Sequence, residues 1–268
     1  MTSGSGGDAT PPTGAGMTLT VVGCSGSFPG PESAASCYLV EAPYDGGAFR
    51  LLLDLGSGAL GPLQRITSLE SIDAVALSHL HADHCLDLCG FYVVRKYHPD
   101  GAWPRLPVYG PAGAAERMCR AYDIAPNPGM QEEFTFHTYP DGEFAIGPFT
   151  VTVCQVSHPV AAYALRITDG HRTLVYSGDT GPCTSLNELA KDCDLLLAEA
   201  SFVVAAANPP NLHLTGTEAA RTAEIAGAGR LVLTHIPPWH CAAAVLAEAA
   251  PHFRGSTALA TPGATYDV

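Results

Sequence analysis

Short apolar runs recur along the chain and stop at Gly, Pro, Asp or His. They are LTVVG (19–23), CYLVEA (37–42), RLLLDLG (50–56), DAVALS (73–78), LPVYG (106–110), FTVTVCQV (149–156), YALRIT (163–168), TLVYSG (173–178), DLLLAEA (194–200) and RLVLTHI (230–236). Their length and their β-branched content predict strands. Between them lie segments with helical spacing: 58–66, 84–97, 112–124, 185–191 and 242–250. The clearest helix starts at Thr215, where Thr215 and Glu218 form a capping box and Gly227 or Gly229 supplies the stop. Strands followed by helices predict an α/β protein with layered sheets covered by helices, a single domain over 17–268. The strand-rich stretch 134–168 argues against a purely alternating βαβ chain. The glycine-rich loop GCSGSFPGP (23–31) is neither GxGxxG nor a P-loop with its Lys. It reads equally as a phosphate-cradling turn or a plain tight turn.

Composition narrows this picture. Residues 1–16, MTSGSGGDATPPTGAG, offer little to bury and read as a disordered tail; they lack the basic and apolar regions of a secretion signal. No apolar run reaches the ~18 residues of a membrane helix. Nine scattered cysteines read as reduced thiols in a cytoplasmic protein, with Cys85 and Cys89 packing one helix face into the core. Thirteen basic residues against 26 acidic ones give a formal net charge of −13. Long nucleic acid is therefore a poor partner. A small anion remains compatible, because bound cations dominate the field of their own site.

The candidate chemistry falls at strand ends. DAVALS runs into His79, His81, Asp83 and His84, FTVTVCQVS into His158, TLVYSG into Asp179, and RLVLT into His235. Asp and His are costly at the end of a buried strand unless they find partners. The dense HxHxDH pattern is therefore read as a chelating loop. Alone, His158 in SHP reads equally as a core histidine, and Asp179 in SGDTG as a turn residue. With the first motif they complete a count for two ions. His79, His81 and His158 would serve one, Asp83, His84 and His235 the other, and Asp179 would bridge. Two such ions can share a hydroxide and clamp a displacement at phosphorus. Zinc is the expected metal, and Mn2+ or Fe2+ fit similar donors. The other histidines, His98, His137, His171, His240 and His252, carry no such pattern.

In this order the motifs resemble the metallo-β-lactamase superfamily over residues 17–268. The resemblance implies an αββα sandwich with a dinuclear site at one edge of its sheets. True β-lactamases in that superfamily carry Cys where Asp179 stands, which argues against a penicillin-cleaving role. LAEASF, with Glu199, and NLHLTG, with His213, look like a pair found in the tRNase Z branch and its phosphodiesterase relatives. There a Glu orients a non-ligand His that protonates the leaving oxygen, as rupture of a P–O ester requires. The alternative for His213 is a core histidine, and for Glu199 a residue that only caps or pairs locally. Long-form tRNase Z enzymes insert an arm between the positions of His158 and Asp179, whereas this chain has only YALRITDGHRTLVYS.

The segments VVGCSGSFPGPESAASCYLVEAP, LSHLHADHCLDLCGFYVVRKYHP, YSGDTG, PPNLHLTGTEA and VLTHIPPW resemble an actinobacterial, chiefly mycobacterial, group of atypical cyclic-nucleotide phosphodiesterases. The function expected is hydrolysis of 3′,5′-cyclic AMP, or a related cyclic nucleotide, to the 5′-nucleotide. His213, Glu199 and Asp83 form the expected catalytic set, and Ser25 or Ser27 would approach a phosphate oxygen or the ribose. A tRNA 3′-processing endonuclease is the alternative, and a non-catalytic nucleotide-binding regulator a further one. The partner is then a small anionic phosphodiester; no membrane is expected, and a homodimer is compatible with the sequence.

Overall fold

The computed structural model describes residues 16–268, so the tail expected over 1–16 lies, apart from Gly16, outside the described residues. The strands are β1 (Thr18–Ser25), β2 (Ala34–Ala35), β3 (Cys37–Tyr44), β4 (Gly47–Leu53), β5 (Ala74–Ala76), β6 (Leu106–Gly110), β7 (Phe134–Thr138), β8 (Glu143–Ile146), β9 (Phe149–Gln155), β10 (Tyr163–Thr168), β11 (Thr173–Tyr176), β12 (Leu195–Glu199), β13 (Arg230–Thr234), β14 (Ser256–Leu259) and β15 (Thr265–Asp267). The helices are α1 (Leu60–Leu63), α2 (Ala82–Cys85), α3 (Leu88–Tyr97), α4 (Ala114–Tyr122), α5 (Thr184–Leu189), α6 (Gly216–Ala226) and α7 (Ala242–Ala249). Two sheets form. The first has the order β15-β1-β3-β4-β5-β6-β7, with β2 beside β1, and the second has the order β14-β13-β12-β11-β10-β9-β8.

Each sheet is antiparallel over one part and parallel over the other. In the first, β1, β3 and β4 pair antiparallel, and β4 to β7 run parallel. In the second, β8 to β11 are antiparallel, and β11 to β14 parallel. Parallel neighbours need crossover connections, and these carry the helices onto the outer faces.

Successive side chains in the unbroken apolar runs divide between two cores. Leu51, Leu53, Ala74 and Ala76 of the first sheet meet Leu174, Tyr176, Leu195, Leu197 and Val232 of the second in a central layer. Their neighbours face outward. Leu52 and Val75 pack under Leu63, Leu88, Phe91 and Met118 of the helices, and Val175, Leu196 and Leu231 pack under Leu186, Ala219, Ala223 and Val245. Runs without polar alternation are thus the signature of strands buried on both faces. Each Leu contributes about 1.5–3 kcal/mol by burial. The result is a four-layer αββα sandwich.

The helix starting after Thr215 keeps its capping box, and Gly227, with φ +68°, ends it. The single helix expected over 84–97 is two. Asp87 takes the break: its carboxylate accepts from the Gly58 and Leu60 amides at 3.0 and 2.8 Å, and its own amide donates to Leu55 O. Cys85 and Cys89 therefore stand on separate helices, although both pack into the first outer core. Strands β14 and β15, drawn from Ser-, Thr- and Ala-rich sequence, had no apolar run to announce them. Both are edge strands, where half-exposed residues suffice.

Candidate metal centre

The HxHxDH loop leaves β5 through the buried residues Leu77, Ser78 and His79, and His81 then opens α2, which carries Asp83 and His84. His158 follows β9, Asp179 follows β11, and His235 follows β13. The structure brings all seven side chains to one edge of the two sheets. Three imidazole nitrogens converge first: His79 Nε2 lies 3.0 Å from His81 Nδ1, which lies 3.2 Å from His158 Nε2. In the second group, His84 Nε2 lies 3.2 Å from both His235 Nε2 and Asp179 Oδ1. Asp83 Oδ2 there stands 3.1 Å from His235 Nε2 and 3.4 Å from His84 Nε2. Asp179 faces both groups, since its Oδ2 is 3.7 Å from His79 Nε2 while Oδ1 looks into the second.

This donor set fits metal. Asp179 is 2% exposed, and its Oδ1 is buried without a hydrogen-bond partner, a costly state for a carboxylate oxygen in the absence of a cation. Imidazole and carboxylate together suit a divalent ion of the first transition row. Asp179 also meets the electrostatic demand. Burial alone would raise its carboxyl, but the imidazoles of His235, His84 and His79 hold it well below the usual carboxylate range. Asp83 is likewise ionised, because hydrogen bonds from His235 and His84 outweigh its burial.

The ring nitrogens turned away from the donor groups are anchored. His84 Nδ1 bonds Asp54 Oδ2 at 2.7 Å, and His79 Nδ1 meets Ser78 Oγ at 3.0 Å. His235 Nδ1 meets Ser201 Oγ at 2.7 Å, and His158 Nδ1 the Leu212 carbonyl at 3.0 Å. Such partners fix ring orientation and tautomer. Asp54 is the hub: fully buried, it also accepts from the Ser78 amide, Ser78 Oγ and Tyr176 OH at 2.6–2.8 Å. Burial would lower His84, but the Asp179 and Asp54 carboxylates raise it well above an ordinary histidine. Asp54, Ser78, Tyr176 and Ser201 were not singled out from sequence. Asp54 could have been, because it ends the apolar run RLLLD as the ligands end theirs.

Glu199 closes β12 and His213 precedes α6. His213 Nδ1 lies 2.9 Å from Glu199 Oε1. Backbone amides hold Glu199 in turn, Thr180 N donating to Oε1 at 2.8 Å and Ser201 N to Oε2 at 3.1 Å. His213 reaches Asp179 Oδ2 only at 4.0 Å, yet Glu199, His213 and His235 also lie close enough to offer a third donor group. Burial would lower His213, but Glu199 outweighs it and the imidazole is raised above its ordinary value.

The glycine-rich loop packs on His235. A Cβ on Gly26 would meet the His235 carbonyl at 2.2 Å, so only glycine allows this approach. Ser25 is buried and donates its hydroxyl to the Phe28 carbonyl at 2.7 Å. Ser27 is exposed, and it is its backbone amide that points to the centre, 3.3 Å from His235 Nε2. A cavity of about 370 Å³ is lined by Cys24, Ser25, Ile236 and Pro237 among others and by none of the donor residues.

A family model described as a β-lactamase superfamily domain matches residues 49–236. The chain belongs to the β-lactamase superfamily. It is a metallo-hydrolase of that fold. An uncharacterised protein of Mycobacterium leprae is 44% identical over 94% of this chain and 89% of its own length. The probable metallo-hydrolase YhfI of Bacillus subtilis is 34% identical over 94% of this chain and 100% of its own. The YhfI crystal structure superposes with a TM-score of 0.82, covering 93% of this chain and 99% of that one. The short form of human tRNase Z shares the fold at 21% identity, with a TM-score of 0.71 over 93% of this chain and 98% of that one. The superfamily fold places its helices and sheets as described above. Among the described residues, no helix is long and apolar enough to cross a membrane.

Proposed function

We propose that this superfamily member is a dinuclear, zinc-dependent phosphodiesterase of the cytoplasm that hydrolyses 3′,5′-cyclic AMP, or a related cyclic nucleotide, to the 5′-nucleotide. The observation that carries the reading is His213, held by Glu199 at 2.9 Å beside the donor groups with its own imidazole raised above the ordinary range. A hydrolase that expels a good leaving group has no need of such a residue. One that breaks a P–O ester expels an alkoxide and needs a proton donor.

His79, His81 and His158 would hold one ion and Asp83, His84 and His235 the other, with Asp179 facing both. Bound divalent ions supply Lewis acidity toward phosphoryl oxygens and acidify water in their reach. Glu199 fixes the Nδ1 proton of His213, which leaves Nε2 to deliver a proton to the departing 3′ oxygen. The Thr180 and Ser201 amides keep Glu199 itself from turning. Asp83 and Asp179 stay ionised and so orient the imidazoles around them.

The net charge of −13 and the short turn joining β10 to β11 favour a small anionic substrate over an RNA chain. The test is a side-by-side assay of the zinc- and manganese-loaded protein on 3′,5′-cyclic AMP, 3′,5′-cyclic GMP, 2′,3′-cyclic AMP, bis-p-nitrophenyl phosphate and a precursor tRNA. The expected result is turnover of the 3′,5′-cyclic nucleotides. Cleavage of the tRNA with all cyclic nucleotides inert overturns the proposal in favour of an endonuclease. Binding without any turnover overturns it in favour of a regulator.

A further inference from the structure

Two exposed aromatic side chains stand on the two loops that meet at the donor residue His235. Phe28 is 39% exposed and Trp239 is 64% exposed, and their rings pack on each other with centroids 4.9 Å apart at 39°. Stable apolar burial does not explain a tryptophan left mostly in water.

Both loops are held tightly. After β1 the chain turns at Gly26–Ser27–Phe28, where the Phe28 amide donates to Gly26 O at 2.7 Å and Ser27 takes a left-handed φ of +64°. This three-residue turn throws Phe28 outward while the Ser27 amide points to His235 Nε2 at 3.3 Å. Trp239 sits four residues after His235, which is itself left-handed at φ +54°. A β-bridge joins Ser25 to Ile236, and the Gly26 amide donates to Ile236 O at 3.2 Å. Left-handed backbone at non-glycine residues is costly and persists where surrounding structure enforces it. Here it holds Phe28 one residue from the amide that touches His235 Nε2, and Trp239, packed on Phe28, four residues after His235. The Ser25 hydroxyl does not compete for a base, because it is already bonded to Phe28 O.

We infer that Phe28 and Trp239 form a stacking platform for the nucleobase of the substrate, and so determine its specificity for nucleotides over other phosphodiesters. This rests on the phosphodiesterase reading above. An aromatic face suits any base, so the pair selects a nucleotide without reading its identity through hydrogen bonds.

Stacking contributes equally before and at the transition state, so its loss raises KM rather than lowering kcat. In the metal-loaded holoenzyme, Trp239→Ala should raise KM for 3′,5′-cyclic AMP about tenfold, the range set by single-base stacking on an aromatic residue. Phe28→Ala should act in the same direction by less, and Trp239→Phe should recover most of the loss. The preference for 3′,5′-cyclic AMP over a base-free ribose 3′,5′-cyclic phosphate, measured as a ratio of kcat/KM, should fall about tenfold in Trp239→Ala. A second readout needs no turnover: 5′-AMP should quench the fluorescence of Trp239, and the quench should disappear in Trp239→Phe, where Trp103 is the remaining tryptophan. An unchanged preference ratio overturns the platform, as does an absence of quenching in the wild type or quenching that survives Trp239→Phe. If no cyclic nucleotide is hydrolysed while 5′-AMP still quenches Trp239, the platform stands and the reaction assigned above fails.

Discussion

The two donor groups differ in charge and burial. His79, His81 and His158 are all imidazole, and two of the three are only partly buried. Asp83, His84, Asp179 and His235 are buried throughout and bring two carboxylates. The supports overlap in part: His79 and His235 each meet a serine hydroxyl, while His158 leans on a backbone carbonyl and His84 on the buried carboxylate Asp54. Neutral donors leave an ion its full charge to act on substrate, whereas carboxylates neutralise part of it and hold it more tightly. An ion in the imidazole group would thus keep more of its charge, and one in the acidic group would be held more tightly. Burial pulls His79 well below an ordinary histidine, with His84 adding to the effect.

The change that should damage the centre most is Asp179→Ala. It removes the one side chain that faces both groups, and three imidazoles lose the carboxylate opposite them. Elemental analysis should show loss from both positions, and turnover should fall by more than the ~10²-fold typical of losing an outer partner. His158→Ala should instead empty the imidazole group alone, leaving metal in the acidic one. Equal metal loss in the two variants would erase the distinction drawn here.

Next in size is His213→Ala. Removing a general acid costs ~10²–10⁴-fold in turnover, and the metal content should match the wild type because His213 stands beside both groups rather than in them. Metal loss on this substitution would move His213 into the donor set, where its closeness to Glu199 and His235 would place it. Asp54→Asn comes third. It keeps the shape of the hub but weakens its hold on His84, so the affinity of the acidic group should fall about 10–100-fold in a chelator competition, with the imidazole group less affected.

How much of this could be read in the chain depends on what each residue does. The converging donor residues were legible as candidates because Asp and His at the end of an apolar strand are out of place unless they find partners. That rule holds for His79, His158, Asp179 and His235 alike. It applies equally to Asp54, but Asp54 sits in no motif and its role appears only once Tyr176 and Ser78, 122 and 24 residues away, fold onto it. The layers were legible from unbroken apolar runs. The split of the 84–97 helix was not, because it depends on Asp87 capping backbone amides some 27 residues earlier, at Leu60. Edge strands β14 and β15 escaped for the opposite reason: their burial is too slight to leave a pattern. Ser25 and Ser27 show a third kind of gap. The loop was found, but which of its atoms face the centre is set by the turn at Ser27, which no composition reveals.

The smallest expected effect separates the proposed proton donor from the donor groups by pH. His213 is raised above its ordinary value of about 6.5 by Glu199, against the pull of burial. A raised imidazole keeps its proton as pH climbs past the ordinary range and loses it only through the higher value. Activity that needs this proton should therefore fall on the alkaline side, through that raised value. The sign for stability is the same: the His213–Glu199 pair stabilises the fold fully below the unfolded value and ceases to do so as pH rises through the folded one. Glu199→Gln keeps the side-chain shape but removes the charge, so burial then dominates and the imidazole drops. The alkaline limb of kcat/KM should move to lower pH, while the acid limb, set by groups around the ions, should stay. An alkaline limb that does not move would take the proton donation away from His213 and leave the two donor groups to act without it.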